Sequence, residues 1–283
     1  MRLVIQGHAL QPSHLQHIAA LCADGRSLQD FKHTGPHACH LPAIHTLNTE
    51  IETYCASQQL DCAFVADHHT LDNFGLVLMD MDSTLITIEC IDEIADMQGL
   101  KAEVAAITEA AMRGEIEFAE SLRRRVTLLE GLDESALQRV YDERLRLSPG
   151  TDVWSMACRR HGIRTMVVSG GFDFFAERVK TLAGLDYAAA NQLEIVAGKL
   201  TGRVLGDIVD AQAKADWLNR KRIDLGLAQS QVIAIGDGAN DLIMMANAGV
   251  SIAYHAKPIV REHATYALNH VGLDGAVHLF SPA

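Results

Sequence analysis

Four short runs, GLVLMD (75–80), IRTMVVSG (163–170), QVIAIGDG (231–238) and GVSIAY (249–254), carry apolar side chains at consecutive positions instead of alternate ones. A strand with apolar groups on both faces must be covered on both, and amphipathic helical stretches lie between the runs to do so. The expectation is an α/β core, a Rossmann-like doubly wound parallel sheet with helices on each side. The chain has 283 residues, 48% of them hydrophobic, which is enough for more than one folding unit.

The core pattern is not continuous. Between the first and second runs lie ITIECIDEIADMQGL, AEVAAITEAAMRGEI, EFAESLRRRVTLLEGL and DESALQRVYDERL, four stretches of helical period with no strand signal. They predict an inserted helical-bundle cap over 86–148, with Pro149 and Gly150 marking the return to the core. Residues 1–70 read as a small accessory α+β domain. Its expected parts are an apolar strand at 3–5, a helix near 13–23, a loop rich in His, Gly and Pro, a helix near 44–58 and a strand in CAFVAD. The core is then 71–85 with 149–283, and a β-hairpin or flap is expected between 186 and 210.

Composition narrows the function. A formal net charge of −12 argues against nucleic acid or an anionic membrane surface as the main partner, so an anionic substrate needs local cations to capture it. No stretch approaches the ~18 apolar residues of a membrane span, and the opening MRLVIQGHALQPSHL lacks the apolar segment of a secretion signal. The six cysteines form no CxxC pair, as befits reduced thiols; a cytoplasmic location is expected. HTGPHACH gathers His33, His37, Cys39 and His40, but Gly35 and Pro36 break any helix that would align the first two, so a metal site is not expected there.

Ligands of open α/β sheets bind beyond the carboxyl ends of the strands, where Asp80, Asp82, Ser169 and Asp237 fall. Any one of these aspartates could cap a helix or shape a turn. Together they would repel one another, and a hard divalent cation with oxygen ligands, usually magnesium where phosphate is handled, relieves the repulsion. SGGF (169–172) offers a hydroxyl and glycine N–H groups before the helical stretch FDFFAERVKTLAG, an arrangement suited to an anion. Lys214 shares a helical face with Ala211, Trp217 and Leu218 and so points inward toward anionic partners, unless it snorkels to the surface.

DMDST (80–84), Ser169, Lys214 and GDGAND (236–241) resemble, in order and in context, the four motifs of the haloacid dehalogenase-like phosphatases. IECIDEIA, AMRGEIEFAESLRRRV, VVSGGFDFFAE and AYHAKP are similar to the members of that family that act on phosphoserine, and the resemblance spans about 74–283. It implies Asp80 as a nucleophile that forms an aspartyl-phosphate, and Asp82 as the acid and then the base. It further implies Mg²⁺ held by the side chains of Asp80 and Asp237 and the backbone carbonyl of Asp82. Ser169, Gly170 and Lys214 would hold the phosphoryl oxygens, Asn240 would contact the substrate, and Asp241 would orient the lysine.

The cap should recognise what is not phosphate. Phe118, Leu122, Val126 and Leu129 form an apolar stripe in which Arg125 lies, while Arg123 and Arg124 point away. An inward guanidinium suits a free α-carboxylate, or else a glutamate of the bundle. Glu89 stands where the family places a substrate-binding glutamate and could pair with an α-ammonium, or be merely solvated. With a phosphate site, the two charges describe O-phosphoserine. A sugar or nucleotide phosphate would leave both without that duty, and a phospho-acceptor module could also gather aspartates and magnesium; Asp82 and the lid argue for turnover. No catalytic motif lies in 1–70, which is expected to be dispensable for chemistry.

Overall fold

The structure is a computed structural model that describes residues 1–22, 24–46 and 48–282. The N-terminal part runs β1 (Arg2–Gln6), α1 (Pro12–Leu21), β2 (Lys32–Gly35), β3 (Ala38–Leu41), α2 (Thr49–Ser57) and β4 (Asp61–Val65), with an antiparallel sheet ordered β2-β3-β1-β4. The stretch expected as a His-, Gly- and Pro-rich loop is instead the β2–β3 hairpin. Pro36 falls between the two strands, where its missing N–H breaks no ladder. The second helix starts later than its expected position near 44, because Asn48 caps it by accepting from the Glu50 N–H at 2.9 Å.

This small sheet is apolar on both faces. Leu3, Ile5, Cys39 and Leu41 pack with Leu15, Ile18, Ile51 and Cys55 of the two helices. Val4, Ala63 and Val65 belong instead to the large core, with Val271, Leu273, Leu279 and Phe280. Polar contacts fix the same seam. Buried Arg2 donates to the carbonyls of Ala66, His69 and Leu279 at 3.1, 2.6 and 2.7 Å. Asp61, only 2% exposed, accepts the backbone N–H groups of Asn269, His270 and Val271 at 2.7, 2.9 and 3.1 Å. Asp61→Ala therefore leaves three donors without their acceptor and should cost about 2–3 kcal/mol. Urea unfolding measures this, and an unchanged midpoint would mean that water replaces the carboxylate.

The large sheet comprises β5 (Leu76–Met79), β6 (Arg164–Phe172), β7 (Tyr187–Val196), β8 (Lys199–Leu205), β9 (Val232–Gly236), β10 (Val250–Tyr254) and β11 (Tyr266–Leu268). Its order is β11-β10-β9-β5-β6-β7-β8, parallel except for the antiparallel β8. The helices are α3 (Cys90–Met97), α4 (Lys101–Met112), α5 (Phe118–Thr127) and α6 (Ser135–Glu143), then α7 (Thr151–Arg160), α8 (Asp173–Ala183), α9 (Ala211–Asp224), α10 (Leu242–Ala246), α11 (Pro258–His263) and α12 (Gly275–Phe280). Successive strand residues feed opposite faces: Val77, Met79, Val167, Ile233 and Ile235 pack with Trp154 and Phe175, whereas Leu76, Leu78, Met166, Val168 and Val232 pack with Leu218 and Met244. From β5 the chain winds out to β7 on one side, then returns through α9 to β9 on the other. The reversal lies between β5 and β9, where a doubly wound sheet opens its crevice.

Helices α3 to α6 stand over this crevice. Their α5–α6 end is tied to the β7–β8 hairpin by backbone bonds from Gly131 to Leu200 and from Leu200 to Leu132, both 2.8 Å, and from Glu134 to Gly198 at 2.9 Å. Arg178 of α8 adds a cationic contact on the rings of Phe174 and, in α6, Tyr141.

Candidate active site

The chain leaves β5 with the Asp80 N–H bonded to the Ile235 carbonyl at 3.0 Å, and then makes one wide turn over 81–85, closed by Ile86 N–H to Met81 C=O at 3.0 Å. Ser83 takes a left-handed backbone, φ 56°, inside this turn. Its hydroxyl donates to Glu89 Oε1 at 2.7 Å, and the Cys90 N–H donates to Asp82 Oδ1 at 3.2 Å. One strained turn thus sets Asp80, Asp82 and Glu89 together.

Lys214 does point inward. Its Nζ lies 2.8 Å from Asp80 Oδ1 and 2.7 Å from Asp241 Oδ1, with all three side chains buried. Asp241 Oδ2 accepts from the N–H groups of Asp237 and Gly238 at 3.2 and 3.1 Å. A Cβ at Gly236 would meet the Asp241 carboxyl carbon at 2.4 Å, so the glycine is what lets this carboxylate under the loop. Thr84 donates to Asp237 Oδ1 at 3.0 Å.

Ser169 is placed differently from the expectation of a strand end that opens a helix. Strand β6 continues to Phe172 and helix α8 begins at Asp173; Ser169–Gly171 form an irregularity where the register with β7 shifts. Ser169 Oγ accepts the Gly171 N–H at 2.8 Å. Close approach explains the glycines, since a Cβ on Gly171 would stand 2.7 Å from Asp82 Oδ2, and one on Gly170 would stand 2.9 Å from the Phe118 ring. Asn191, which sequence reasoning missed, donates to the Gly170 carbonyl and accepts from the Val209 N–H, both at 2.8 Å. Its only signal is an amide inside a run of small and apolar residues.

These groups enclose a cavity of about 500 Å³. Asp80, Asp82, Ser169, Gly170, Asp237 and Asn240 line one part of it, and Glu89, Asp92, Phe118, Arg125 and Lys257 the rest. Every expected site residue is at the cavity or, for Lys214 and Asp241, directly behind it. Asp92 and Lys257 were not foreseen. Arg125 has no carboxylate within ion-pair distance among the described residues; its Nε reaches only the Ser121 carbonyl, at 3.4 Å.

Burial shapes the charges. Burial, then the charge of Glu89, pushes Asp82 up to about 7. Burial and Asp241 push Asp237 up to about 6. Burial alone would depress Lys214, but the Asp241 and Asp80 carboxylates reverse this and hold it above its usual value. Burial likewise raises Glu89 and lowers Arg125. Carboxylate oxygens of Asp80, Asp237 and Asp241 all lie within 4.8 Å of one another. The donor set is all oxygen, three carboxylates set against the one ammonium of Lys214, and it fits a hard divalent cation.

The sequence pattern of the haloacid dehalogenase-like hydrolases matches residues 77–246. Phosphoserine phosphatase of Polaromonas sp. is 53% identical over 214 residues, which cover 74% of this chain and 91% of the relative. The crystal structure of the probable phosphoserine phosphatase of Vibrio cholerae, unliganded, superposes with a TM-score of 0.88 at 40% identity, over 99% of this chain and 86% of that one. A phospho-aspartyl intermediate analogue of phosphoserine phosphatase superposes with a TM-score of 0.69 at 38% identity, over 74% of this chain and 99% of the other. The chain belongs to the haloacid dehalogenase-like hydrolase family. No helix among the described residues is long and apolar enough to cross a membrane.

Proposed function

We propose that this chain is a magnesium-dependent phosphatase that hydrolyses O-phospho-L-serine to L-serine and phosphate through an aspartyl-phosphate on Asp80. The observation that carries the reading is that one cavity joins Asp80, Asp82 and Ser169 to Glu89 and to an Arg125 that has no ion-pair partner among the described residues. The relatives named phosphoserine phosphatase support it. In this reading residues 71–85 and 149–283 are the catalytic core, 86–148 its cap and 1–70 an accessory unit, all in the cytoplasm.

Asp80 attacks phosphorus as the bond to the serine oxygen breaks. Asp82, held near neutrality and anchored by the Cys90 N–H, gives its proton to the departing alkoxide. The same carboxylate then takes a proton from the water that attacks the phosphoryl group, and phosphate leaves with Asp80 restored. Ser169, Gly170 and Lys214 hold the phosphoryl oxygens while their charge redistributes, Asn240 contacts the same group, and Asp241 keeps the lysine in place. Asp80, Asp237 and the Asp82 carbonyl would hold Mg²⁺, which supplies the positive charge that lets an anionic nucleophile approach an anionic phosphoryl group. Asp241 shares the acidic cluster, but both its oxygens are already engaged by Lys214 and two N–H groups.

Phosphate release from phosphoserine, with and without magnesium in chelator-treated buffer, tests the activity; no release in magnesium would sink it. For specificity, Arg125→Ala and Glu89→Gln should each lower kcat/KM for phosphoserine by roughly tenfold or more, the worth of one charged hydrogen bond of about 1.5–3 kcal/mol. An aryl phosphate has neither an ammonium nor a carboxylate and should be affected far less. Equal losses on both substrates would mean that these residues only hold the lid together.

A further inference from the structure

Lys257 lines the active-site cavity, yet the chemistry proposed above makes no use of it. Its place is set by the backbone. The Lys257 N–H donates to the Asp237 carbonyl at 3.2 Å, which ties it to the loop that carries the acidic cluster. Two residues earlier, His255 takes a left-handed backbone, φ 45°, and is held by its N–H on the Leu268 carbonyl at 2.7 Å and its Nε2 at 2.9 Å from the Val271 carbonyl. Pro258 then opens α11 and fixes the exit. Among the described residues the ammonium has no carboxylate within ion-pair distance and no hydrogen-bond acceptor.

Glu89 feels two cations across the cavity, Arg125 from the lid and Lys257 from the core, and both favour its ionised form. The ammonium and carboxylate of an α-amino acid sit on one carbon. If Glu89 takes the ammonium, the carboxylate must land beside it, within the field of the cations that flank it. We infer that Lys257 is a specificity-determining residue: with Arg125 it forms a two-cation clamp on the substrate carboxylate, one half carried by the lid and the other by the core. The charge balance agrees. Five carboxylates line the cavity, those of Asp80, Asp82, Glu89, Asp92 and Asp237, and with Lys214 and magnesium committed to the phosphoryl end, a single guanidinium would have to offset the substrate carboxylate beside Glu89 and Asp92 alone.

The inference rests on the phosphoserine reading and is tested apart from it. Steady-state kinetics of the full chain with magnesium are compared for O-phosphoserine and O-phosphoethanolamine, which keeps the phosphate and the ammonium but lacks the carboxylate. Lys257→Met should lower kcat/KM for phosphoserine by about tenfold, leave phosphoethanolamine unchanged and remove most of the preference between the two. Lys257→Arg should restore most of it. A preference that survives Lys257→Met, or equal losses on both substrates, would overturn the clamp. A wild-type enzyme that does not distinguish the two substrates would instead overturn the amino-acid reading itself.

Discussion

Asp80→Asn should eliminate turnover while the fold persists. The amide keeps the shape of the carboxylate and one oxygen to accept the Met81 N–H, which the wild-type side chain does at 2.7 Å. Lys214 retains Asp241 as its partner. What disappears is the anion proposed to attack phosphorus, together with one oxygen donor of the acidic cluster. Loss of a covalent nucleophile costs on the order of 10⁴-fold or more in kcat, because the remaining groups can only orient the substrate. Phosphate release over long incubation, alongside thermal unfolding, measures both effects. A residual rate within about a hundredfold of wild type would remove Asp80 from the nucleophile's role.

Lys214→Met strikes stability as well as chemistry. The methionine fills similar space but leaves the buried carboxylates of Asp80 and Asp241 with no cation between them. Breaking a buried charge cluster by removing one partner costs about 3–5 kcal/mol, which should appear in denaturant unfolding carried out in chelator. The sign of the pH dependence follows. Burial and the charge of Asp241 already raise the Asp80 carboxyl, with Lys214 opposing them; without the lysine it rises further above its unfolded value, so the variant's folded state binds more protons, relative to its unfolded state, than the wild type's does. The variant's deficit is then largest at neutral pH and shrinks as pH falls and that carboxyl protonates. A deficit that does not vary with pH would place the loss in packing and not in charge.

The core was legible because its signals are local. Consecutive apolar residues fix which segments are buried on both faces, and the rule that ligands sit beyond strand ends then brings Asp80 and Asp237 together without any knowledge of distances. Lys214 was legible from helical phase. The failures are of two kinds. A short hairpin such as β2–β3 is specified by its pairing with β1, not by propensity, and His- and Gly-rich composition conceals it. Asp61, whose partners lie more than 200 residues away, and Asn191, which braces Gly170, act through contacts that leave no periodic trace. The seam made by Asp61 and Arg2 also qualifies the view of residues 1–70 as merely accessory. They hold no catalytic motif, but Val4 and Val65 cover apolar groups of the C-terminal segment that their removal would expose.

The ties between the α5–α6 end of the lid and the β7–β8 hairpin divide the labour within the lid. Arg125 and Phe118 ride on α5, whose far end is anchored to the sheet edge, whereas α4 packs on α3 and α5, buries only Val104 and leaves Met112 largely exposed at the cavity rim. The cheapest opening of the crevice is therefore past α4, while α5 stays registered to the core. On the proposed reading of Arg125, selection and admission fall to different helices, so admission could loosen or tighten in evolution while the reading surface keeps its shape.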